Sequence, residues 1–449
     1  MKQVLNAAEK SYKRLHKNGD YEAKDITEYR ELIDATHEVF TKALSNGIAD
    51  NVIPRAMKQS LEEDVFVFSA LKTHAQLFEA SRQLLDSEGK VKSFQTFNHD
   101  IKQIKASYNE NYLYAEYNFA TASAQQAANW SQVEEGKGRY NLQYRTAQDD
   151  RVRDDHAEMH GITLPIDDDF WDKYYPPNGW NCRCVAIEVL KDDYKVSNSE
   201  EANSKGDTAT TKIGKNGKNK LEIFRFNPGK EKVVFPPNHP YRKLQGSKAV
   251  AEATEKIQTQ EDYKILDRVE IVTYNIENLP DEIKNAYPDI DIEKVNAVNM
   301  YSDTYYAEIN KFNRGLDVEM YPEHGIDEKF WQTLTKVINQ GLDEIPDKFE
   351  GMAYRGTNLT AKQVEKYKNA LKATGIIEEP AFTSSSYVKE EAFDGNVRFS
   401  IKSKNGTIIE KVSSVKREKE VLFKAGQKFK VTDFKEYDGN VYDIYMEEV

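Results

Sequence analysis

Residues 417–423 read Arg-Glu-Lys-Glu-Val-Leu-Phe, with two acidic side chains at alternate positions just before a short apolar run. The apolar run predicts a β-strand. Side chains two residues apart in an extended segment point the same way, about 6.6 Å apart along the chain, so Glu418 and Glu420 are expected to face the same space. One such carboxylate can stabilise a developing positive charge while the other orients a nucleophile. The pair is therefore the centre of a candidate catalytic site.

The segments around this pair predict a domain in which helices come first and strands follow. Apolar stripes at helical spacing occupy 295–312, 330–338 and 360–371. The pattern then becomes that of short strands, at 397–401, 406–409, 420–423, 429–431 and 441–445. This order indicates an α+β domain with short antiparallel sheets, which we place at 263–449.

Two further motifs precede the acidic pair. Tyr354-Arg355-Gly356 ends a short apolar stretch, and residues 382–386 read Phe-Thr-Ser-Ser-Ser. In order and spacing the three motifs resemble the arginine–serine–glutamate signature of the ADP-ribosyltransferases related to clostridial binary toxins and to vertebrate arginine-specific enzymes. The resemblance spans about 264–449, and Ser385 stands where that family usually has threonine, which keeps the hydroxyl. It implies a mono-ADP-ribosyltransferase domain with NAD as its substrate.

The residue types suit that chemistry. The planar fork of Arg355 can grip a pyrophosphate with two charge-assisted hydrogen bonds. The hydroxyl of Ser384 can brace both the carboxylate and the ribose. By resemblance, Glu420 is the carboxylate beside the sugar carbon, where cleavage of the bond to nicotinamide builds positive charge. The residues that we assign to NAD binding are Arg355, Gly356, Ser384, Ser386 and Phe393.

The acceptor is the second half of the reaction. A guanidinium stays protonated at ordinary pH, so it must be oriented and relieved of a proton before it attacks. In the resembling family a paired glutamate marks arginine-directed enzymes, which assigns acceptor recognition to Glu418 and makes 412–417 the acceptor-facing loop. Either Tyr387 or Phe393 could stack on nicotinamide, or both could belong to the core.

Each motif has an ordinary interpretation when it is taken alone. A Tyr-Arg-Gly triplet is common, a serine run is usually a loop, and Glu-x-Glu on an edge strand is usually a solvated face. It is their joint order on matching helices and strands that favours an enzyme. The alternative is a chain whose last domain is a catalytically inert adaptor.

The N-terminal half divides into regions of different amino-acid composition. Residues 1–143 read as helical, with stripes such as Tyr29, Leu32, Ile33, Thr36, Phe40 and Leu44. Residues 144–245 form a block dense in Trp, Pro, Asp and Arg, interrupted at 196–220 by a polar stretch that predicts a flexible loop. A short strand is expected at 221–226, and a polar helical linker at 246–262.

The block around 144–184 carries a second resemblance. It contains Tyr144-Arg-Thr-Ala-Gln-Asp-Asp-Arg, then Asp167-Asp-Asp-Phe-Trp, and it ends in Gly179-Trp-Asn-Cys-Arg-Cys184. Over about 68–241 it resembles the phage head-morphogenesis family whose namesake is the F protein of phage Mu. Members of that family are minor capsid proteins that associate with the portal or are packaged in the head, and some carry C-terminal toxin-like enzymes.

The same block holds candidate metal ligands. His156 and His160 are one helical turn apart, and Cys182 and Cys184 would share one face of an extended segment. Two imidazoles and two thiolates would suit tetrahedral zinc. The Cys-x-Cys spacing is tighter than usual, so the favoured interpretation is a buried nucleus of Trp, Pro and reduced Cys, with no metal.

Composition limits the partners. The net charge is −12 over 449 residues, so direct nucleic-acid recognition is not expected. No signal peptide or membrane span is predicted, which favours a soluble protein made in a cytoplasm.

The resemblances together imply a phage minor head protein that modifies arginine in a host protein. Its expected partners are that acceptor and the portal or capsid, and its expected locations are the virion and the host bacterial cytoplasm. A stand-alone bacterial toxin recruited from a prophage is a further alternative.

Overall fold

The computed structural model describes residues 2–49, 51–133, 138–269, 279–372, 375–413 and 415–449. The chain divides into two compact units, of which the first ends at Gln258 and the second begins at Thr259. Among the described residues, no helix is long and apolar enough to cross a membrane.

The first unit is mainly helical over its N-terminal part, as predicted. Its principal helices are Lys2–Asn18, Arg30–Ile48, Arg55–Ser81, Phe94–Asp100, Lys102–Ala106 and Leu113–Val133, with a π-helical turn at Ser107–Tyr112. The predicted stripe from Tyr29 to Leu44 is buried at all six positions. Gly47 lies in the last turn of the helix Arg30–Ile48, and a Cβ there would meet the Thr121 carbonyl oxygen at 2.3 Å. Its role is close helix packing.

A small antiparallel sheet follows in the same unit, in the order β2-β1-β3. Its strands are β1 (Tyr140–Arg145), β2 (Thr163–Leu164) and β3 (Val185–Leu190). The short helix Phe170–Lys173 packs with it around a separate aromatic core, and a second short helix spans Asp154–Ala157.

The expected flexible loop at 196–220 is wrong. It contains the helix Ser199–Ala209, whose first turn is capped by the Asn198 side chain accepting from the Glu201 amide at 3.0 Å. The helix packs closely through a small residue, Gly206, because a Cβ at that position would lie 2.5 Å from the ring of Tyr174. A polar segment with few large apolar residues can therefore still be held in place.

The rest of the first unit is built from short turns. The expected strand at 221–226 is a 3₁₀ turn, Glu222–Phe224, and further turns lie at Pro228–Glu231 and Pro240–Lys243. The predicted helical linker corresponds to the helix Ser247–Leu266, within which the division between the two units falls.

The second unit begins with helices and ends in strands, as predicted. Its helices are Asp281–Lys284, Ile292–Met300, Tyr306–Asn313, Glu328–Glu344 and Ala361–Lys372, with a π-helical turn at Tyr301–Tyr305. Part of the predicted domain, 270–278, lies outside the described residues. The apolar faces of Ile292–Met300 and Glu328–Glu344 meet in one core, and Ala361–Lys372 packs on another with the strands.

Seven strands form the sheet of this unit, in the order β4-β6-β8-β7-β10-β9-β5. They are β4 (Lys348–Thr357), β5 (Ile376–Glu379), β6 (Thr383–Ser386), β7 (Val397–Ile408), β8 (Glu420–Phe423), β9 (Gln427–Tyr437) and β10 (Val441–Glu448). The α+β prediction is confirmed, with two refinements: the segments 397–401 and 406–409 are one strand, and β7 pairs with β10 in parallel.

The strands that carry the sequence motifs are neighbours. Strand β4 pairs with both β6 and β7, and β8 also pairs with both, so these four strands close on themselves. The motifs at 354–356, 382–386 and 417–423 therefore come together at one part of the sheet.

Candidate active site

Arg355, Ser384 and Glu420 lie on three adjacent strands, β4, β6 and β8. The register pairs Ser386 with Glu420, and Tyr354 with Ser386. These strands and the segment after β6 line one narrow cleft. The cleft residues are Tyr354, Arg355, Ser384, Ser385, Ser386, Glu391, Ala392, Phe393, Glu418 and Glu420. Six of the seven residues that the sequence predicted for the site are in this set, and Gly356 is the exception.

Glu420 is the most buried acid of the cleft, with 5% of its surface exposed. Burial raises the pKa of its carboxyl to about 7. A hydrogen bond from Ser384 and the charge of Arg355 oppose that shift, whereas the nearby charge of Glu418 adds to it. The predicted bracing of Glu420 by Ser384 is thus present, and the carboxyl changes charge near neutral pH.

Arg355 is half-buried and is held by the serine strand. Its Nη1 donates to the Ser384 carbonyl oxygen at 2.5 Å. A guanidinium fixed in this way presents its planar fork in one orientation, which suits a phosphate better than a mobile side chain would. The same serine therefore contacts the arginine through its backbone and Glu420 through its hydroxyl.

Gly356 contributes by having no side chain. A Cβ at this position would lie 1.7 Å from the carbonyl oxygen of Phe393. The backbone that carries Phe393 can approach β4 only because of this glycine. Phe393 itself is 67% exposed and lines the cleft, whereas the Tyr387 hydroxyl donates to Glu410 at 2.9 Å and is not among the cleft residues found in the described chain. Of the two candidate aromatic rings, Phe393 is the one in the cleft.

We expect Gly356→Ala to destabilise the second unit by about 1–3 kcal/mol, the range for inserting a methyl group where no space exists. The variant should also bind NAD more weakly, because the Phe393 segment is displaced. Thermal unfolding and the KM for NAD measure the two effects. Gly138→Ala is the matched control, since a Cβ at Gly138 meets nothing within 4 Å. Unchanged unfolding and KM in Gly356→Ala would contradict the packing argument.

Glu418 reaches the cleft by a different route from the one predicted. It ends a 3₁₀ turn, Lys416–Glu418, and is not part of an extended segment. Lys419 then has φ +50°, in the left-handed region, so the backbone turns between the two acids before β8 begins at Glu420. The expected alternation within a strand is wrong, yet both carboxylates line the same cleft.

The turn between the two acids is held from both sides. Lys419 Nζ lies 2.6 Å from Glu410 Oε1, and Tyr387 donates to the other oxygen of the same carboxylate. The predicted acceptor loop, 412–417, is anchored where it leaves the core, since Asn299 Nδ2 donates to the Val412 carbonyl oxygen at 2.8 Å. Ser414 lies outside the described residues.

Sequence analysis missed two residues near the cleft, Tyr301 beside Glu420 and Arg314 beside Arg355. Tyr301 is 1% exposed, packs on Phe382 with ring centroids 5.0 Å apart, and has its pKa raised by burial and then by the charge of Glu420. Desolvation and the charge of Arg355 lower the pKa of the Arg314 guanidinium, so a second cation lies near enough to Arg355 to repel it. The π-helical turn at Tyr301–Tyr305 shifts the helical phase, which the apolar spacing did not indicate.

A second cluster lies in the first unit. The structure brings His156, Cys182 and Cys184 together, all three buried, with their possible ligand atoms within 4.8 Å of one another. His160 is not part of this group, because its Nδ1 lies 3.1 Å from the Thr146 amide nitrogen and 3.0 Å from the Thr146 hydroxyl. The four-ligand arrangement considered from the sequence is therefore wrong in its second histidine.

Comparison with protein families assigns both halves. The family described as Phage Mu protein F like protein matches residues 35–187, and the family described as NAD:arginine ADP-ribosyltransferase matches residues 286–449. The chain joins a Mu F-like domain to an ADP-ribosyltransferase domain. The resemblances to the Mu F-like family and to the ADP-ribosyltransferases are thus confirmed, whereas the binary-toxin or vertebrate subtype stays a prediction. The Mu F-like match begins earlier than the expected range of 68–241 and ends earlier, at 187.

Individual relatives match one half or the other. Protein F of Escherichia phage Mu, named as a candidate capsid assembly protein, is 29% identical over 163 residues, or 35% of this chain and 35% of that protein. Mav of Mycobacterium avium (strain 104), named as a candidate NAD(+)–arginine ADP-ribosyltransferase, is 34% identical over 148 residues, or 32% and 16%. Tre1 of Serratia proteamaculans (strain 568), named as an NAD(+)–protein-arginine ADP-ribosyltransferase, is 30% identical over 116 residues, or 26% and 24%. The chain spans about a third or less of the length of each.

Proposed function

We propose that the ADP-ribosyltransferase domain transfers ADP-ribose from NAD to an arginine side chain of a protein. The observation that carries the proposal is the convergence of Arg355, Ser384, Glu418 and Glu420 on one cleft. These residues come from three strands and a turn scattered over 66 positions of sequence, from 355 to 420. An inert adaptor has no need for a buried carboxylate braced by a serine and facing an arginine.

Glu420 acts on the sugar. Cleavage of the bond between nicotinamide and ribose leaves the electron pair on nicotinamide, which departs neutral, and builds positive charge at the sugar carbon. A fixed carboxylate in a desolvated cleft stabilises that charge much more than water does. Arg355 holds the pyrophosphate, and the exposed ring of Phe393 covers the nicotinamide end. Gly356 permits this arrangement through its backbone, and Ser386 supports it beside Glu420.

Glu418 acts on the acceptor. One guanidinium nitrogen forms a bond to the sugar carbon as the bond to nicotinamide breaks, and it must lose a proton in the process. Glu418 lies in the same cleft but at its half-buried edge, where a protein side chain can arrive from solvent. It orients the guanidinium by a two-point contact and accepts the proton.

The experiment that tests this function uses the full chain, labelled NAD and two small acceptors. Agmatine carries a guanidinium on an alkyl chain, and cadaverine carries an ammonium on a chain of similar length. We expect label to be transferred to agmatine and not to cadaverine, because only the planar group makes the two-point contact with Glu418. Absence of transfer to agmatine, together with absence of labelled protein in a bacterial lysate, would favour the inert adaptor.

The rate should depend on pH through Glu420. Its pKa is raised to about 7, and only the charged form stabilises the sugar cation, so kcat/KM for NAD should rise with pH and reach half its maximum near pH 7. Bound NAD places the positive nicotinamide ring beside the carboxylate, which favours the charged form. The midpoint in kcat should therefore lie below the midpoint in kcat/KM. Profiles that are flat between pH 5.5 and 8.5 would contradict this assignment.

For the whole chain we propose a phage minor head protein that carries the transferase. The support is the Mu F-like domain and the name of its relative in phage Mu. The partners would be portal or capsid proteins in the virion and an arginine-bearing protein in the host cytoplasm. Mass spectrometry of purified virions tests this: peptides from both domains should be present, and their absence would favour a stand-alone toxin.

A further inference from the structure

The cluster of His156, Cys182 and Cys184 has the dimensions of a metal site. His156 Nδ1 lies 3.6 Å from Cys182 Sγ and 3.5 Å from Cys184 Sγ. A tetrahedral zinc ion with ordinary bond lengths separates a sulfur ligand from a nitrogen ligand by about 3.6 Å. The two thiols are not joined in a disulfide, and all three side chains are buried. The two nitrogen–sulfur distances are thus those that ligands of a shared ion would have.

The chain builds this cluster from two separate segments. His156 lies on the short helix Asp154–Ala157, whereas Cys182 and Cys184 follow a turn in which Asn181 has φ +56°. The Cys182 amide donates to the Gly179 carbonyl oxygen at 3.2 Å, which fixes the turn. An ion held here would cross-link residues that are 26 to 28 positions apart, beside a small aromatic core.

A hydrogen bond without metal is the competing explanation. Arg153 Nη1 lies 3.5 Å from His156 Nε2, which would suit an imidazole that donates from Nδ1 to a sulfur. However, one N–H shared between two sulfurs would be a weak three-centre hydrogen bond, and Nδ1 is about equally close to both sulfurs. Arg153 makes its firm bond elsewhere, because its Nη2 donates to the Trp180 carbonyl oxygen at 2.6 Å. An ion between the three atoms accounts for the equal distances.

We propose that His156, Cys182 and Cys184 bind one zinc ion, with the fourth position occupied by water in the adjoining cleft. All three residues line a cleft of about 820 Å³, which also includes Arg151 and Arg183. Among the described residues, the side chains able to bind a metal ion at this position are these three. The two thiolates and one imidazole make a soft donor set, which selects zinc over magnesium or calcium. The ion stabilises the Mu F-like domain, because folding assembles the site.

The test measures zinc in the full chain purified without chelators, by elemental mass spectrometry. We expect about one zinc per chain, and a loss of about tenfold or more in Cys182→Ser and in Cys184→Ser. His160→Ala is the matched control: it lies one turn from His156 but bonds to Thr146, so its zinc content should equal that of the parent chain. Equal loss in His160→Ala and Cys182→Ser would overturn the assignment.

A second measurement does not depend on variants that fold. Cobalt(II) added to the unmodified chain in place of zinc should give intense visible bands of tetrahedral geometry and near-ultraviolet bands from two thiolates. Zinc content near zero together with no such bands would overturn the proposal. So would an intact mass two hydrogens lower than that of the reduced chain, since it would mean that Cys182 and Cys184 form a disulfide. None of these results bears on ADP-ribosyl transfer.

Discussion

Glu420→Gln lowers the rate of ADP-ribosyl transfer by a factor of about 10² or more, which is the size of effect seen when one preorganised charge-stabilising group is removed. Glutamine keeps the size and shape of the side chain, and its amide can still bond to Ser384. What it lacks is the negative charge that faces the sugar carbon. The expected loss is in kcat, measured as release of nicotinamide and as label on agmatine, and both should fall together because Glu420 acts before the acceptor is used.

The stability of Glu420→Gln shows whether its loss of activity comes from the missing charge or from misfolding. The pKa of Glu420 is about 7 in the folded chain and 4.5 for an ordinary glutamate, so this group favours the folded state most at pH values below about 4.5 and loses that contribution as pH rises through about 7. Glu420→Gln should thus be at least as stable as the parent at pH 8. Glu390→Gln, an exposed acid on the neighbouring turn, is the matched control and should retain activity. Parental rates in Glu420→Gln would remove the carboxylate from the mechanism.

Much of this site could be predicted because its motifs are short and local. Arg355, Ser384 and Glu420 each belong to a strand-like segment with its own motif. Chain order does not give their pairing, because β4 with β6 and β6 with β8 each skip one strand of the sequence. Helices followed by strands also fixed the α+β class, because periodicities of 3.6 and 2 are visible in the sequence. The strand that carries each motif could therefore be predicted from the residues of that segment alone.

The parts that sequence analysis missed depend on single backbone choices or on tertiary contacts. One residue with positive φ, Lys419, turns Glu418 out of the strand. Positive φ is uncommon for lysine, so the sequence does not predict this turn. Tyr301 comes beside Glu420 through a π-helical turn. The helix Ser199–Ala209 is held by contacts such as that of Gly206 with Tyr174, which composition does not reveal. His160 was included in the metal hypothesis by helical spacing alone, whereas its actual partner is Thr146.

The position of Glu418 has a consequence for the neighbouring acid. Its charge is one of the causes that raise the pKa of Glu420. Removal of that charge therefore favours ionised Glu420, so the pH at which NAD hydrolysis is half-maximal should move down in Glu418→Gln. The same substitution thus changes the acceptor step by loss of a base and the sugar step by a shift in pH, and the two effects can be measured separately.

Glu418→Gln should leave NAD hydrolysis within about threefold of the parent above pH 8, where Glu420 is charged in both, while transfer to agmatine falls by about 10² or more. Hydrolysis needs only water and the charge of Glu420, whereas the guanidinium needs a carboxylate that orients it and takes its proton. The ratio of transferred to hydrolysed ADP-ribose is the measurement, and hydrolysis by the same sample is its internal control. A parallel loss of hydrolysis and transfer would place Glu418 at the sugar. Parental rates of both hydrolysis and transfer would mean that the acceptor is recognised by another group, because a neutral amide cannot accept the guanidinium proton.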